Sequence, residues 1–91
     1  MNAQSSKILE RILKAFANKR RIEIVRFIRA KREANVSEIA DSVKLSIKAT
    51  SKHLGILSAV DVLEREQRNV QVFYRIAGGI PETGKKILSV F

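Results

Sequence analysis

The spacing of apolar residues changes after Asp61, from a helical period to a period of two. Up to that point apolar residues recur three or four positions apart, which is typical of amphipathic helices. Beyond it, apolar residues stand at every second position from Val70 to Ile76, which is typical of a half-buried strand. The sequence therefore predicts a mostly α fold that carries one small β-hairpin.

Capping residues divide the helical part into separate helices. Asn18, Ser37 and Ser46 are of the types that favour helix N-termini, and each precedes an apolar periodic run. The second helix has a wide apolar arc, so we expect it to form the centre of the core. With 91 residues the chain fits one domain, 1–91. The predicted helices cover residues 6–17, residues 19–31, a pair within 37–60, and residues 82–91.

The two helices within 37–60 are joined by only Lys44, Leu45 and Ser46. The small Ala40 on the first helix permits the close crossing that a helix-turn-helix needs. The predicted strands follow the second helix directly and turn at Asn69, a residue type that tolerates the left-handed conformation. A hairpin in this place is a wing, predicted over residues 62–76. The fold class is therefore a winged helix-turn-helix.

The charge balance is strongly basic and indicates a polyanionic partner. The chain has 18 Lys and Arg against 9 Asp and Glu, a net charge of +9. Its pI near 10.5 exceeds the value of about 9 that is typical of nucleic-acid-binding domains. With no cysteine and one histidine, the sequence offers no thiolate metal site and no nucleophile–base pair. We expect a protein that is not an enzyme, has no cofactor and binds nucleic acid.

The apolar segments are short. None of them approaches the roughly 18 consecutive apolar residues that a membrane-spanning helix needs. We therefore expect no membrane partner and a cytoplasmic, nucleoid-associated protein.

The second helix of the helix-turn-helix has two unlike faces. On a wheel of 100° per residue, one face is short, polar and positive, whereas the opposite face carries apolar residues such as Leu54 and Leu57. The polar face suits the major groove of double-stranded DNA, where lysines donate to guanine or phosphate and an apolar side chain contacts a thymine methyl. Residues 47–60 are therefore the predicted recognition helix, with Ser46, Ile47, Lys48, Ser51 and Lys52 on the DNA. The wing adds Arg65, Gln67, Arg68 and Asn69, which we expect on the backbone or in the minor groove.

Apolar stripes on the first and last helices predict a homodimer. A domain of this size buries a modest share of its surface, and two-fold dimers are the commonest oligomers. Two copies would also read two half-sites. The predicted interface consists of Ile8, Leu9, Ile12, Leu13 and Phe16 of the first helix and Ile87, Leu88 and Phe91 of the last.

Four segments resemble the ArsR-type winged-helix transcriptional regulators. They are Ala17-Asn18-Lys19-Arg20-Arg21-Ile22, Ser37-Glu38-Ile39-Ala40, Leu45-Ser46 through Ser51-Lys52-His53-Leu54, and Val72-Phe73-Tyr74-Arg75-Ile76. Their order and spacing match the family from about residue 15 to residue 76. The resemblance implies a homodimeric repressor that dimerises through its first and last helices and that in many members responds to a metal.

The sequence departs from the family pattern in three places. Asn18-Lys19 replaces the usual Asp-Pro, and Asp61 stands where the family has glycine. Asn35 and Ser37 occupy the positions of the family's paired metal cysteines, and the last helix has no histidine. We therefore expect no metal.

The sequence leaves three functions open. The first is a sequence-specific regulator, acting as a repressor; the others are a sequence-independent architectural or coating protein and a winged helix used for protein contacts. Two residues have structural interpretations instead. His53 points toward the core side of its helix and is predicted to be a packed or hydrogen-bonded structural residue and not a DNA or metal contact. Arg21 lies in an apolar arc and is predicted to form a buried ion pair.

Overall fold

The computed structural model describes residues 5–91 and contains five helices and three strands within that range. The fold class is the predicted winged helix-turn-helix, with residues 36–59 as the helix pair and residues 63–76 as the wing. The elements are α1 (Ser6–Phe16), α2 (Lys19–Lys31), β1 (Ala34–Asn35), α3 (Val36–Val43), α4 (Ile47–Ala59), β2 (Leu63–Arg68), β3 (Gln71–Ile76) and α5 (Glu82–Leu88).

Side-chain caps start three of the helices, and two of these caps, Asn18 and Ser46, are those that the sequence predicts. Ser5 Oγ accepts from the backbone N–H of Ile8 at 3.2 Å, and Asn18 Oδ1 accepts from that of Arg21 at 3.1 Å. Ser46 Oγ accepts from the N–H of Ala49 at 3.0 Å. Each bond satisfies a donor that the helix itself leaves without a partner.

Helix α3 begins two residues earlier than expected. Asn35, and not Ser37, is its N-cap, because Asn35 and Glu38 form a reciprocal capping box with both bonds at 2.9 Å. This arrangement satisfies two backbone donors, whereas a lone serine would satisfy one. Ser37 therefore lies in the first turn.

The sheet has three strands and not the two of the predicted hairpin. Its order is β1-β3-β2, with every pair antiparallel. Strand β1 is two residues long, too short to produce a detectable alternation, and pairs Ala34 with Tyr74. The hairpin turns at Asn69, whose φ of 56° confirms the predicted left-handed conformation. Val70, predicted as a strand residue, lies in this turn and is 94 % exposed.

Helix α2 supplies the centre of the core. Its Ile24, Val25 and Ile28 are fully buried, which confirms the prediction drawn from its wide apolar arc. They belong to one apolar cluster that receives side chains from all five helices and from the sheet. The recognition helix contributes Leu54 and Leu57 to this cluster.

Helix α5 ends at Leu88 and not at residue 91. Residues after Leu88 form tighter turns, in which the N–H of Phe91 donates to the carbonyl of Leu88 at 3.1 Å. Arg29 of α2 donates to the carbonyl oxygens of Leu88 at 2.8 Å and of Phe91 at 3.1 Å, which satisfies acceptors at the end of the helix. The Phe91 ring meets Phe16 edge to face, with centroids 5.9 Å apart. Within residues 5–91, no helix is long and apolar enough to span a bilayer.

Candidate nucleic-acid interface

The predicted recognition face of α4 is exposed as a unit. Ile47 is 51 % exposed, and Ser46, Lys48, Ser51 and Lys52 are exposed beside it. Neither lysine makes a hydrogen bond or an ion pair within residues 5–91. The N-terminal half of α4 therefore presents free donors and one apolar side chain on a single face.

The orientation of this face is fixed by the turn between α3 and α4. Lys44 adopts a left-handed conformation with a φ of 57°, and the N–H of Leu45 donates to the carbonyl of Ala40 at 3.1 Å. Arg20 of α2 donates to the carbonyl of Val43 at 2.6 Å, which caps the end of α3. Ala40 is buried at the crossing, as its small size predicts.

Arg21 connects three helices. Its guanidinium donates to the carbonyl of Ala15 at 2.7 Å, to that of Lys14 at 3.2 Å, and to Nδ1 of His53 at 3.1 Å. Because a guanidinium only donates, Nδ1 of His53 acts as the acceptor. The predicted ion pair of Arg21 is therefore wrong: its partners are carbonyl oxygens and an imidazole, and no carboxylate among residues 5–91 pairs with it.

His53 is half-buried and hydrogen-bonded, which confirms its structural interpretation. Burial lowers the pKa of its imidazole below the usual 6.5, and the charges of Arg21 and Arg20 lower it further. The neutral ring is thus the form that fits between α2 and α4.

The wing residues predicted to meet DNA have unequal surroundings. Arg65 is exposed and makes no hydrogen bond or ion pair within the described range, and Gln67 donates to the carbonyl of Asn69 at 3.3 Å. Arg68, in contrast, forms two bonds with the carboxylate of Glu33, at 2.7 and 2.8 Å, and a third with Glu66 at 3.0 Å. Its guanidinium also stacks on the Phe73 ring, 4.5 Å from the centroid.

These contacts are part of an ionic network across the wing. Arg75 donates to Glu66 at 2.8 Å and to Glu64 at 2.8 Å, and Glu64 accepts a further bond from the N–H of Gly78. Hydrogen bonds from Arg68 and then Arg75 lower the pKa of Glu66 to about 2. This network was not predicted from the sequence, although Glu64 and Arg75 face each other in the hairpin register.

A cleft of about 240 Å³ separates the recognition helix from the wing. No charged side chain lines it. Its walls are the hydroxyls of Ser37 and Ser51, the amides of Asn35 and Gln71, and the apolar side chains of Val36, Ile47, Val70 and Val72. The cleft therefore joins the free face of α4 to the tip of the wing.

The predicted dimer residues fall into two groups. Ile12, Phe16 and Leu88 are buried in the core of their own chain, with at most 8 % of each residue exposed. They pack between α1, α2 and α5, because this small domain needs them to cover α2. Ile8, Leu9 and Leu13 are exposed, and Ile87 and Phe91 are half-buried. Val90, at the end of α5, is an exposed apolar residue that the prediction omitted.

The positions of the family's metal cysteines do not fit a thiolate site here. Asn35 uses its side-chain oxygen to cap α3, and Ser37 supplies a neutral hydroxyl. No group of three or more histidine or acidic side chains comes together within residues 5–91 in a way that could hold a metal ion. The donor chemistry of this chain thus differs from that of the metal-responsive regulators.

Comparison with known protein families identifies one family that matches this chain. The pattern of the ArsR family of bacterial regulatory proteins matches residues 18–65. No curated protein sequence matches the chain. Solved structures do match, and they cover nearly the whole fold.

Three of these structures are informative. HlyU from Vibrio cholerae is 27 % identical with a TM-score of 0.80, over 98 % of this chain and 94 % of that one. The homodimeric winged helix-turn-helix DNA-binding domain Mb0332 from Mycobacterium bovis is 27 % identical with a TM-score of 0.79, over 99 % and 86 % of the two chains. The transcriptional repressor PagR of Bacillus anthracis is 25 % identical with a TM-score of 0.76, over 96 % and 97 %.

Proposed function

Because the chain belongs to the ArsR family of bacterial regulatory proteins, it is a DNA-binding regulator and not an enzyme, and we propose that it reads a specific double-stranded sequence and represses transcription by covering a promoter. The repressor role is supported by the likeness to PagR. A cytoplasmic protein associated with the nucleoid fits this role.

The observation that carries the proposal is the exposed N-terminal face of α4. An α-helix fits the major groove, which is about 12 Å wide, and there Lys48 and Lys52 can donate to guanine or to phosphate. Ile47 is placed to contact a thymine methyl group, and the hydroxyls of Ser46 and Ser51 suit either base or backbone. Buried Leu54 and Leu57 on the opposite face anchor the helix to the core.

We propose that the protein binds DNA as a homodimer. Exposed Ile8, Leu9 and Leu13 of α1, with half-buried Ile87 of α5 and exposed Val90 just after that helix, form the apolar surface through which two copies would associate. The homodimeric state of the Mb0332 domain supports this arrangement. Two recognition helices would then enter half-sites about 34–36 Å apart on a near-palindrome.

The test begins by selecting bound duplexes from a random pool and measuring the affinity of the Lys48→Ala and Lys52→Ala variants for the selected site. Removing a lysine that contacts a base is expected to weaken the binding free energy by about 1–3 kcal/mol, which is a loss of roughly 5- to 150-fold in affinity. Lys86→Ala is the matched control, since Lys86 is exposed on α5, away from the helix-turn-helix and the wing.

Three results would overturn the proposal. Unchanged affinity in both α4 variants would contradict the orientation of the helix. Equal affinity of the wild type for selected and random duplexes, with a steep salt dependence, would favour a sequence-independent coating protein. Failure to retard any duplex at low salt would favour a winged helix that binds protein partners.

A further inference from the structure

The two faces of the wing differ in charge. Successive residues of a strand point to opposite faces, so Glu64, Glu66 and Arg68 share the outer face of β2, whereas Arg65 and Gln67 share the inner face. The register agrees with this division. Arg65 lies opposite the buried Tyr74, and Glu66 lies opposite Phe73, on which Arg68 stacks.

The arginines of the outer face are already paired with carboxylates. Its two arginines, Arg68 and Arg75, are bonded to three carboxylates, those of Glu33, Glu64 and Glu66. Isolated surface ion pairs contribute little, but bidentate geometry and a shared network are the conditions under which they hold their positions. A phosphate that approached this face would meet a net negative charge and a guanidinium already occupied.

Arg68 is held by several side-chain ion pairs and hydrogen bonds, whereas Arg65 on the same strand has none within the described residues. Two parallel bonds to Glu33 join the end of β2 to the residue that precedes β1, and the guanidinium also stacks on the Phe73 ring of β3. The side chain thus joins the three-stranded sheet across its full width. This position suits a residue that holds the hairpin in place and not one that leaves to bind a ligand.

The inner face and the tip have the opposite character. Arg65 is free within the described part of the chain, and it lies on the same face as Val72, which lines the uncharged cleft beside α4. At the tip, Val70 is 94 % exposed and lines the same cleft together with Ile47 of the recognition helix. The apolar side chains of Ile47, Val70 and Val72 thus connect the exposed face of α4 to the tip of the wing.

We propose that DNA meets the wing through its inner face and tip, with Arg65 on the phosphate backbone, and that Arg68 is a positioning residue that makes no phosphate contact. This inference rests on the proposed DNA-binding function. The sequence predicts that Arg65 and Arg68 both contact DNA. In this proposal Arg65 contacts DNA, whereas Arg68 orders the wing. Val70 contributes an apolar contact at the tip, where the wing reaches the minor groove.

The experiment measures the affinity of the full chain for the selected duplex over a range of salt concentrations. Each phosphate contact contributes about 0.9 to the slope of log affinity against log salt. Arg65→Met is expected to reduce the slope by about that amount in each protomer, and to weaken binding about eightfold per contact at ~0.1 M salt. Arg68→Met, its matched control, is expected to keep the wild-type slope.

Hydrogen exchange of the wing amides supplies a readout for the positioning role. Arg68→Met and Arg68→Lys should both exchange faster than the wild type across β2 and β3, since lysine keeps the charge but not the bidentate bond. A phosphate-binding residue would instead be rescued by lysine. Arg65→Met should leave the exchange of the wing unchanged.

The outcomes separate this inference from the proposed function. A slope that falls in Arg68→Met, or that stays constant in Arg65→Met, would overturn the assignment while wild-type binding stands. Wild-type exchange rates in Arg68→Met would overturn the positioning role without any DNA present. If the wild type bound no duplex, the proposed function and the assignment of Arg65 would fail together.

Discussion

Thr50 is a polar residue in the apolar core, and its replacement by valine is expected to stabilise the protein. Its side chain is fully buried on the inner face of α4, and no atom of residues 5–91 accepts from or donates to its Oγ1. Valine has nearly the same shape and replaces the hydroxyl with a methyl group. Thr50→Val therefore removes a polar group without opening a cavity.

The expected magnitude follows from the cost of the hydroxyl. A buried polar group without a hydrogen bond costs about 1–3 kcal/mol, and threonine and valine have similar helix propensities. We expect Thr50→Val to raise the free energy of unfolding by about 1–2 kcal/mol. For a domain of this length, each kcal/mol shifts Tm by roughly 4–8 °C, so Tm should rise by about 4–16 °C.

Thermal and urea unfolding followed by circular dichroism measure this change, with all variants at one protomer concentration, because the Tm of a dimer depends on it. Thr50→Ala is the control. It removes the hydroxyl but also a methyl group worth about 0.8 kcal/mol, so its stability should lie close to that of the wild type. DNA affinity should not change in either variant, since Thr50 points away from the exposed face of α4. A valine variant no more stable than the wild type would refute the reasoning and indicate a buried water that pairs with the hydroxyl.

Two further predictions concern the end of the recognition helix and the response to acid. Asp61 holds a φ of 60° where α4 ends, while the N–H of Val62 donates to the carbonyl of Leu57 at 3.1 Å. Because glycine adopts this conformation without strain, Asp61→Gly should raise the free energy of unfolding by about 0.5–1 kcal/mol in urea titrations, and a loss of stability would contradict this. The lowered pKa of His53 means that its contribution to stability is complete above pH 6.5 and is lost as the pH falls through the folded-state pKa. The wing carboxylates respond in the same direction below pH 4.5, with Glu66 titrating at about 2. Urea midpoints measured against pH should therefore fall in two stages, and His53→Gln should remove only the upper one; persistence of the upper stage in that variant would exclude His53 as its source.

The helices and their caps could be predicted because their signals are local. Asn18 and Ser46 each bond to a backbone N–H three residues further along, so the sequence alone contains both partners. The prediction that Ser37 caps α3 is wrong although the true signal is also local. Asn35 and Glu38 are three residues apart, and this spacing is the signature of the reciprocal cap that they form.

Contacts between distant segments could not be predicted in the same way. Glu33 and Arg68 are 35 residues apart, and nothing in their surroundings along the chain indicates that β1 brings them together. The partners of Arg21 include the carbonyl oxygens of Lys14 and Ala15, which any residue type would provide. The sequence indicates that Arg21 faces the protein interior. Two of its partners, however, are carbonyl oxygens in the last turn of α1, and their position depends on where that helix ends.

The apolar stripe of α1 also shows that the sequence pattern does not determine which contacts a residue makes. Periodicity indicates which residues share a face, but one helix can contact its own core along one edge and a partner along the other. Ile12 and Phe16 lie on the first edge, and Leu9 and Leu13 remain exposed on the second. The position of α5 decides the division, because Phe91 packs against Phe16 and leaves the neighbouring leucines uncovered.

The net charge of +9 says less about DNA affinity than the pairing of the individual cations does. In the interface region, Lys48, Lys52 and Arg65 are free, whereas Arg68 is bonded to carboxylates. If each of these three free cations contacts one phosphate, a dimer gains six contacts, which contribute about −5 to the slope of log affinity against log salt. The bonds of Arg68 to Glu33 and Glu66 thus lower the number of wing cations that are available to phosphate.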